Sequence, residues 1–222
     1  MPTARPVTIA LEGKTKASGL WLKPAKASAC LLLAHGVGAG MAHPSMTALA
    51  DGLAARGIAT LRYQFPYMER GSRRPDSPAL AQATVRAAAA KAARLAGKLP
   101  LFAGGKSFGG RMTSQAQAIA QLPGVRGLVF FAFPLHLAGK PAVARAIHLS
   151  EIDIPMLFLQ GTRDVLADLD LLRAVVAGLA ERATLILAQD ADHAFHVPAK
   201  TGRKDADVLA GLLDAAAAWM VR

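Results

Sequence analysis

Leu99-Pro100-Leu101-Phe102-Ala103-Gly104-Gly105-Lys106-Ser107-Phe108-Gly109-Gly110 holds the pattern on which the rest of the chain turns. The apolar run Leu99 to Ala103 leads into Gly105-Lys106-Ser107-Phe108-Gly109, and a helix-like stretch follows. The pentapeptide reads as Gly-x-Ser-x-Gly, a sharp strand-to-helix turn that leaves a serine hydroxyl exposed at the carboxyl edge of a sheet. Glycine on either side answers a steric need, because a side chain there would collide with neighbouring backbone. The same letters contain Gly-Lys-Ser and so invite a phosphate-loop reading. That motif needs a glycine five positions before the Gly-Lys pair, where Pro100 stands, so the spacing excludes it.

A serine on such a turn is chemically weak without partners, expected downstream in the order Ser, Asp or Glu, His. Ile154 to Leu159 reads as a buried strand and runs into Gln160-Gly161-Thr162-Arg163-Asp164, placing a carboxylate just past a strand end. Ala183 to Ala188 reads as the next strand, followed by Gln189-Asp190-Ala191-Asp192-His193-Ala194-Phe195-His196. Upstream, the apolar strand Ala29 to Ala34 ends in His35-Gly36-Val37-Gly38-Ala39-Gly40, a turn able to aim a backbone N–H at a carbonyl oxygen. These segments assign Ser107 as nucleophile and His193 as general base, since an imidazole titrating near ~6.5 both takes and returns a proton at neutral pH. Asp164 would orient the imidazole, and the N–H groups of Val37 and Phe108 would hold the oxyanion. His196 is expected to pack beside Phe195 or line the rim, His35 to buttress its loop by hydrogen bonding, and Asp168 to cap a helix. Asp190, Asp192, His193 and His196 are suitable metal ligands by type, but the loop lacks a zinc-binding helix or a second ligand cluster, so no metal and no cofactor is expected.

With 222 residues, 53% of them hydrophobic, the chain is long enough for one sizeable core and is read as one domain, residues 1–222. Strand and helix patterns alternate without linker or repeat. Val7 to Leu11, Gly19 to Leu22, Thr60 to Tyr63 and Gly127 to Phe133 read as further strands. Met46, Leu49 and Leu53 make a helical stripe stopped at Arg56-Gly57, and Ser77-Pro78 opens a helix running to about Ala96. Val208, Leu212 and Trp219 mark the apolar face of a last helix. Such alternation implies a mainly parallel sheet with helices on both faces, binding ligands beyond the carboxyl ends of its strands. The interval from Phe133 to Ile154 has room for one short helix and none for a large cap domain.

A single cysteine, Cys30, excludes an internal disulfide. Lying in a buried strand, it reads as an inert core thiol, and with no export signal it points to the cytoplasm. No run reaches the roughly 20 apolar residues of a membrane span. The formal net charge of +11 raises the question of nucleic acid. No nucleic-acid motif accompanies it, and aromatic residues make up only 5% of the chain, too few for a stacking platform. The charge is uneven: no Asp or Glu falls between Ser77 and Ser150. Arg70, Arg73 and Arg74 cluster after the Thr60 strand, with Glu69 and Asp76 beside them. A solvated surface is the plainer reading; the sharper one has Arg73, Arg74 and Lys106 attract an anionic small-molecule substrate.

The strings Ala34-His35-Gly36-Val37-Gly38-Ala39-Gly40, Phe65-Pro66-Tyr67-Met68, Gly104 to Met112, Gln160 to Asp164 and Asp192 to Pro198 resemble the α/β-hydrolases of the small, dienelactone-hydrolase-like kind. Within them the chain is similar to the group of bacterial homologues of testis-expressed protein thirty and of the hydrolase-like domain of an NSL-complex regulatory subunit. The resemblance runs from about Leu31 to the C-terminus. It implies the α/β-hydrolase fold and a cofactor-free serine hydrolase acting on a small ester. Ser107 stands where dienelactone hydrolase carries cysteine, which separates the chain from that substrate. Because the group includes proteins that serve in complexes, a non-catalytic interaction module on the same fold is the alternative.

Overall fold

The computed structural model describes residues 2–222. Eight strands form one sheet: β1 (Arg5–Ala10), β2 (Lys16–Leu22), β3 (Ala29–Ala34), β4 (Ile58–Tyr63), β5 (Leu101–Lys106), β6 (Val125–Phe131), β7 (Met156–Gly161) and β8 (Ala183–Ala188). Their order is β1-β2-β4-β3-β5-β6-β7-β8. The β1–β2 and β2–β4 pairs are antiparallel and every later pair is parallel. The helices are α1 (Pro44–Ala55), the short α2 (Pro66–Glu69), α3 (Pro78–Ala96), α4 (Phe108–Ile119), α5 (Leu169–Gly178) and α6 (Asp205–Met220).

β3 is apolar and buried at every position, as suits a strand covered on both faces. Cys30, Leu32 and Ala34 enter one core with α3, α4 and α5; Ala29, Leu31 and Leu33 enter the other with α1 and α6. The strand's two-residue alternation therefore builds two cores at once, one on each face of the sheet. Burial pushes the Cys30 thiol up to about 12, which leaves it protonated and unreactive. Ser77 caps α3 by accepting from the Leu80 N–H at 3.4 Å, and Asp168 caps α5 by accepting from the Asp170 and Leu171 N–H groups.

β5 and β7 end later than the sequence expectation, and β6 ends two residues earlier. β5 continues past Ala103 to Lys106, and β7 runs from Met156 to Gly161 rather than from Ile154. Gly104 and Gly105 lie inside β5, where neighbouring backbone comes too close for any side chain. A Cβ on Gly104 would lie 1.8 Å from the Val129 carbonyl oxygen, and one on Gly105 would lie 2.4 Å from that of Ala34. β6 ends at Phe131, and the chain from there to β7 holds one 3-10 turn, Ile147–Glu151. No described helix is long and apolar enough to cross a membrane.

Candidate active site

The carboxyl ends of β3, β5, β7 and β8 converge on one cavity. At the end of β5, Ser107 has φ 52° and ψ −120°, a left-handed conformation that costs a non-glycine residue about 1–3 kcal/mol. Its N–H donates to the Phe131 carbonyl at 3.0 Å, and its carbonyl accepts from the Arg111 N–H at 3.1 Å, anchoring the turn from both sides. Gly109 lets α4 start against β3, since a Cβ there would stand 2.6 Å from the His35 carbonyl oxygen. The strained turn holds the Ser107 hydroxyl up into the cavity while its neighbours fix the backbone beneath.

The Ser107 hydroxyl lies 2.8 Å from His193 Nε2, and His193 Nδ1 lies 2.7 Å from Asp164 Oδ2. A carboxylate can only accept, so Nδ1 carries the proton and Nε2 is left to accept from the serine. Asp164 is fully buried at its side chain and is held by two further donors: Gln160 Nε2 on Oδ2 at 2.5 Å, and the Leu166 N–H on Oδ1 at 2.8 Å. Gly161 makes this meeting sterically feasible. A Cβ there would lie 2.3 Å from the Ala191 carbonyl oxygen and 2.6 Å from that of Asp192. Its absence lets the loop after β8 cross close over the end of β7. Asp192 stiffens that loop by accepting from the Ala194 and His196 N–H groups at 2.7 and 3.0 Å. Lys106 Nζ donates to the His193 carbonyl at 2.6 Å and lies 4.8 Å from the centre of the Phe195 ring.

His35 is buried and bridges two segments. Its Nδ1 donates to the Gly36 carbonyl at 2.8 Å, and Nε2 accepts from the Phe65 N–H at 3.1 Å. Burial lowers its pKa, outweighing the raising effects of the Gly36 carbonyl and Asp76, so the ring is neutral. The loop is tied further along as well. The Met41 N–H donates to Gln64 Oε1 at 2.8 Å, and buried Arg62 donates to the Met41 carbonyl at 3.0 Å and the Thr47 hydroxyl at 2.8 Å. Val37, on this loop, and Phe108, at the first turn of α4, line the same cavity as Ser107 and His193. The Phe108 N–H, at a helix start, has no intrahelical acceptor and is available to a ligand.

The cavity measures about 400 Å³ and has an apolar wall that includes Met46, Pro134, Leu137 and Leu166. Three cationic side chains reach it: Lys106, Arg111 and Arg145. Arg73 and Arg74 do not line it; both are exposed on the segment between α2 and α3. The acids beside them are engaged elsewhere: Asp76 accepts from Arg70 at 2.7 Å and from the Tyr67 N–H at 2.9 Å, and Glu69 accepts from the Ser18 N–H at 2.6 Å. His196 turns away from the cavity to Asp205, at 2.8 Å, in place of the expected packing on Phe195 or the rim. Sequence reasoning missed Gln160, Arg111 and Arg145. Gln160 was legible only as a polar residue at a strand end; the two arginines had no distinguishing signal.

Comparison with solved structures gives close backbone agreement over nearly the whole chain. A serine hydrolase without lid from Xanthomonas campestris superposes with a TM-score of 0.76 at 21% identity, covering 98% of this chain and 95% of that one. Dienelactone hydrolase from Anabaena variabilis gives 0.73 at 21% identity, covering 98% and 96%. The protein Est1E from Butyrivibrio proteoclasticus gives 0.74 at 13% identity, covering 97% and 98%. At such identities the likeness establishes the fold alone. A sequence comparison with curated proteins found no match. The family model for the alpha/beta hydrolase domain matches residues 27–221, a span that takes in the Ser107 turn and the loops carrying Val37, Asp164 and His193. The chain belongs to the α/β-hydrolase domain family.

Proposed function

We propose that the protein is a serine hydrolase that cleaves a small ester, or a similarly activated carbonyl compound, by two-step acyl transfer. The observation that carries the reading is the unbroken hydrogen-bonded chain Asp164–His193–Ser107, at 2.7 and 2.8 Å, opening on a cavity. His193 takes the Ser107 proton as the oxygen attacks the carbonyl carbon, and Asp164 stabilises the imidazolium that forms. The Val37 and Phe108 N–H groups hold the tetrahedral oxyanion, each such donor contributing about 3 kcal/mol in comparable hydrolases. His193 then protonates the leaving alcohol, activates a water against the acyl-serine and returns the proton to Ser107. The modest cavity without a cap favours short acyl groups over long-chain lipids. Within the family we assign the chain to the group related to testis-expressed protein thirty, on the strings around Gly36, Ser107, Asp164 and His193. The buried, unreactive Cys30 fits a cytoplasmic location.

An organophosphonate probe tests this directly. It should label the wild type at Ser107, and Ser107→Ala should remain folded and unlabelled. A panel of short acyl esters and thioesters then names the substrate class. A folded wild type that is neither labelled nor active on any of them returns the protein to the interaction-module reading.

A further inference from the structure

We infer that Arg111 and Arg145 form a subsite for an anionic group, a carboxylate or phosphate, carried by the ester that Ser107 attacks. The inference rests on the hydrolase reading above and concerns which ester enters the site.

Both side chains line the cavity that holds Ser107 and His193. Arg111 lies on α4, and its guanidinium stands 5.9 Å from the centre of the Phe108 ring. Its Nε is buried and meets no acceptor, and among the described residues the guanidinium makes no ion pair. The buried Nε is out of a ligand's reach, but the two Nη groups form no hydrogen bond among the described residues and are not buried, so they are the donors open to an acceptor in the cavity. Arg145 is propped from behind. Its Nη1 donates to the His136 carbonyl at 3.0 Å, and His136 is itself fixed by the Leu137 carbonyl at 2.8 Å and the Asp168 N–H at 2.7 Å. That bond spends one of five guanidinium donors and leaves the remainder of the fork free.

The electrostatics agree. Burial lowers the Arg111 pKa, and the like charge of Arg145 lowers it further. Two cations lining one cavity without an anion destabilise the empty site, and a bound anion reverses that sign. No acid lies between Ser77 and Ser150, so neither the segment carrying Arg111 nor that carrying Arg145 supplies a counter-charge. Asp164, buried behind His193, is committed to His193, Gln160 and the Leu166 N–H. Lys106, whose Nζ gives one of its three donors to the His193 carbonyl, adds a further positive charge at the cavity. Two guanidinium forks suit the planar or tetrahedral oxygens of carboxylate and phosphate.

The test compares the 4-nitrophenyl monoester of glutaric acid with the uncharged 4-nitrophenyl ester of pentanoic acid. The wild type should favour the anionic ester in kcat/KM. Arg111→Gln with Arg145→Gln should lower that preference by about tenfold to a hundredfold, mostly through KM, with the neutral ester changed less than about twofold. The neutral ester reports folding in the same sample, and Arg145→Gln alone serves if the Arg111 change unfolds the protein. Parallel losses on both esters, or no loss on either, would overturn the subsite and leave the hydrolase intact. Calorimetry with glutarate and with inorganic phosphate on Ser107→Ala reads the subsite without turnover. Binding of either that disappears in the triple variant supports it, with the better ligand naming the oxyanion; no binding of either rejects it.

Discussion

Lys106 Nζ donates to the backbone carbonyl of His193 at 2.6 Å, so the residue before the proposed nucleophile holds in place the residue proposed to deprotonate it. One turn thus positions both ends of the Ser107–His193 hydrogen bond. Burial pushes the Lys106 pKa down to about 8, against the raising pull of Asp164 and Asp192. An ammonium kept at such a cost is placed for geometry rather than for stability.

Lys106→Met should therefore separate activity from stability. Loss of the tie loosens the His193 loop, and kcat should fall by about tenfold while KM changes little. The pH dependence has a definite sign. The folded pKa lies below that of the unfolded lysine, so between about pH 8 and the ordinary ~10.5 the unfolded chain binds the extra proton and stability rises with pH. That rise should be present in the wild type and absent from Lys106→Met in denaturant titrations at pH 7, 8, 9 and 10. Equal pH slopes in the two proteins would show that Lys106 is not buried as an ammonium.

The two histidines of the last loop should behave differently. His193→Ala removes the proposed base and should lower kcat by about 10⁴-fold or more. His196, exposed and paired with Asp205, should tolerate Ala with kcat within about threefold of wild type. A severe loss at His196 in a folded protein would reverse the assignment.

Gly161 and Gly211 offer the same substitution with opposite expected signs. A Cβ on Gly161 would press on the Ala191 and Asp192 carbonyls, so Gly161→Ala should destabilise the protein by about 1–3 kcal/mol and depress kcat by displacing His193. Gly211 lies within α6 with nothing within 4 Å of its Cβ position, and Gly211→Ala should stabilise by about 0.5–1 kcal/mol through helix propensity. Urea titrations of both variants decide the matter; a neutral Gly161→Ala would mean the loop has room to spare.

These contacts also explain what the sequence could and could not reveal. β3 is legible because it faces two cores and is apolar at all six positions. The end of β5 lies beyond the apolar run Leu99 to Ala103, because Gly104 and Gly105 carry no apolar side chain to mark the strand and serve the close approach of Val129 and Ala34. Ser107, Asp164 and His193 were visible in chain order because each follows an apolar strand. Arg73 and Arg74 drew attention as local charge density, but sequence does not say where a side chain points. Arg111 and Arg145 come from a helix and a loop, and only the fold brings them to one cavity. Gln160 was hidden for a related reason: a buried glutamine aimed at a carboxylate looks like any polar strand end.

Acid should weaken the fold through two histidines held neutral. His148 lies 2.7 Å from the Ser114 hydroxyl; burial, and after it the charge of Arg111, pulls its pKa down to about 4. His35 is lowered from its ordinary value of 6.5 in the same direction, by burial first. In each case the folded pKa lies below the unfolded one, so stability contributed by the neutral ring is present above about pH 6.5 and lost as pH falls toward the folded pKa. A full one-proton difference corresponds to a slope of about 1.4 kcal/mol per pH unit. His196 runs the other way, its pKa raised by the hydrogen bond to Asp205, and its contribution is lost only as pH climbs above 6.5, outside this window. Urea titrations at pH 4.5, 5.5 and 6.5 should show a steep fall in the wild type and a shallower one in His148→Asn, whose amide can still reach Ser114. A variant that tracks the wild type across all three pH values would mean that His148 is protonated in the folded protein, against the burial and the Arg111 charge that surround it.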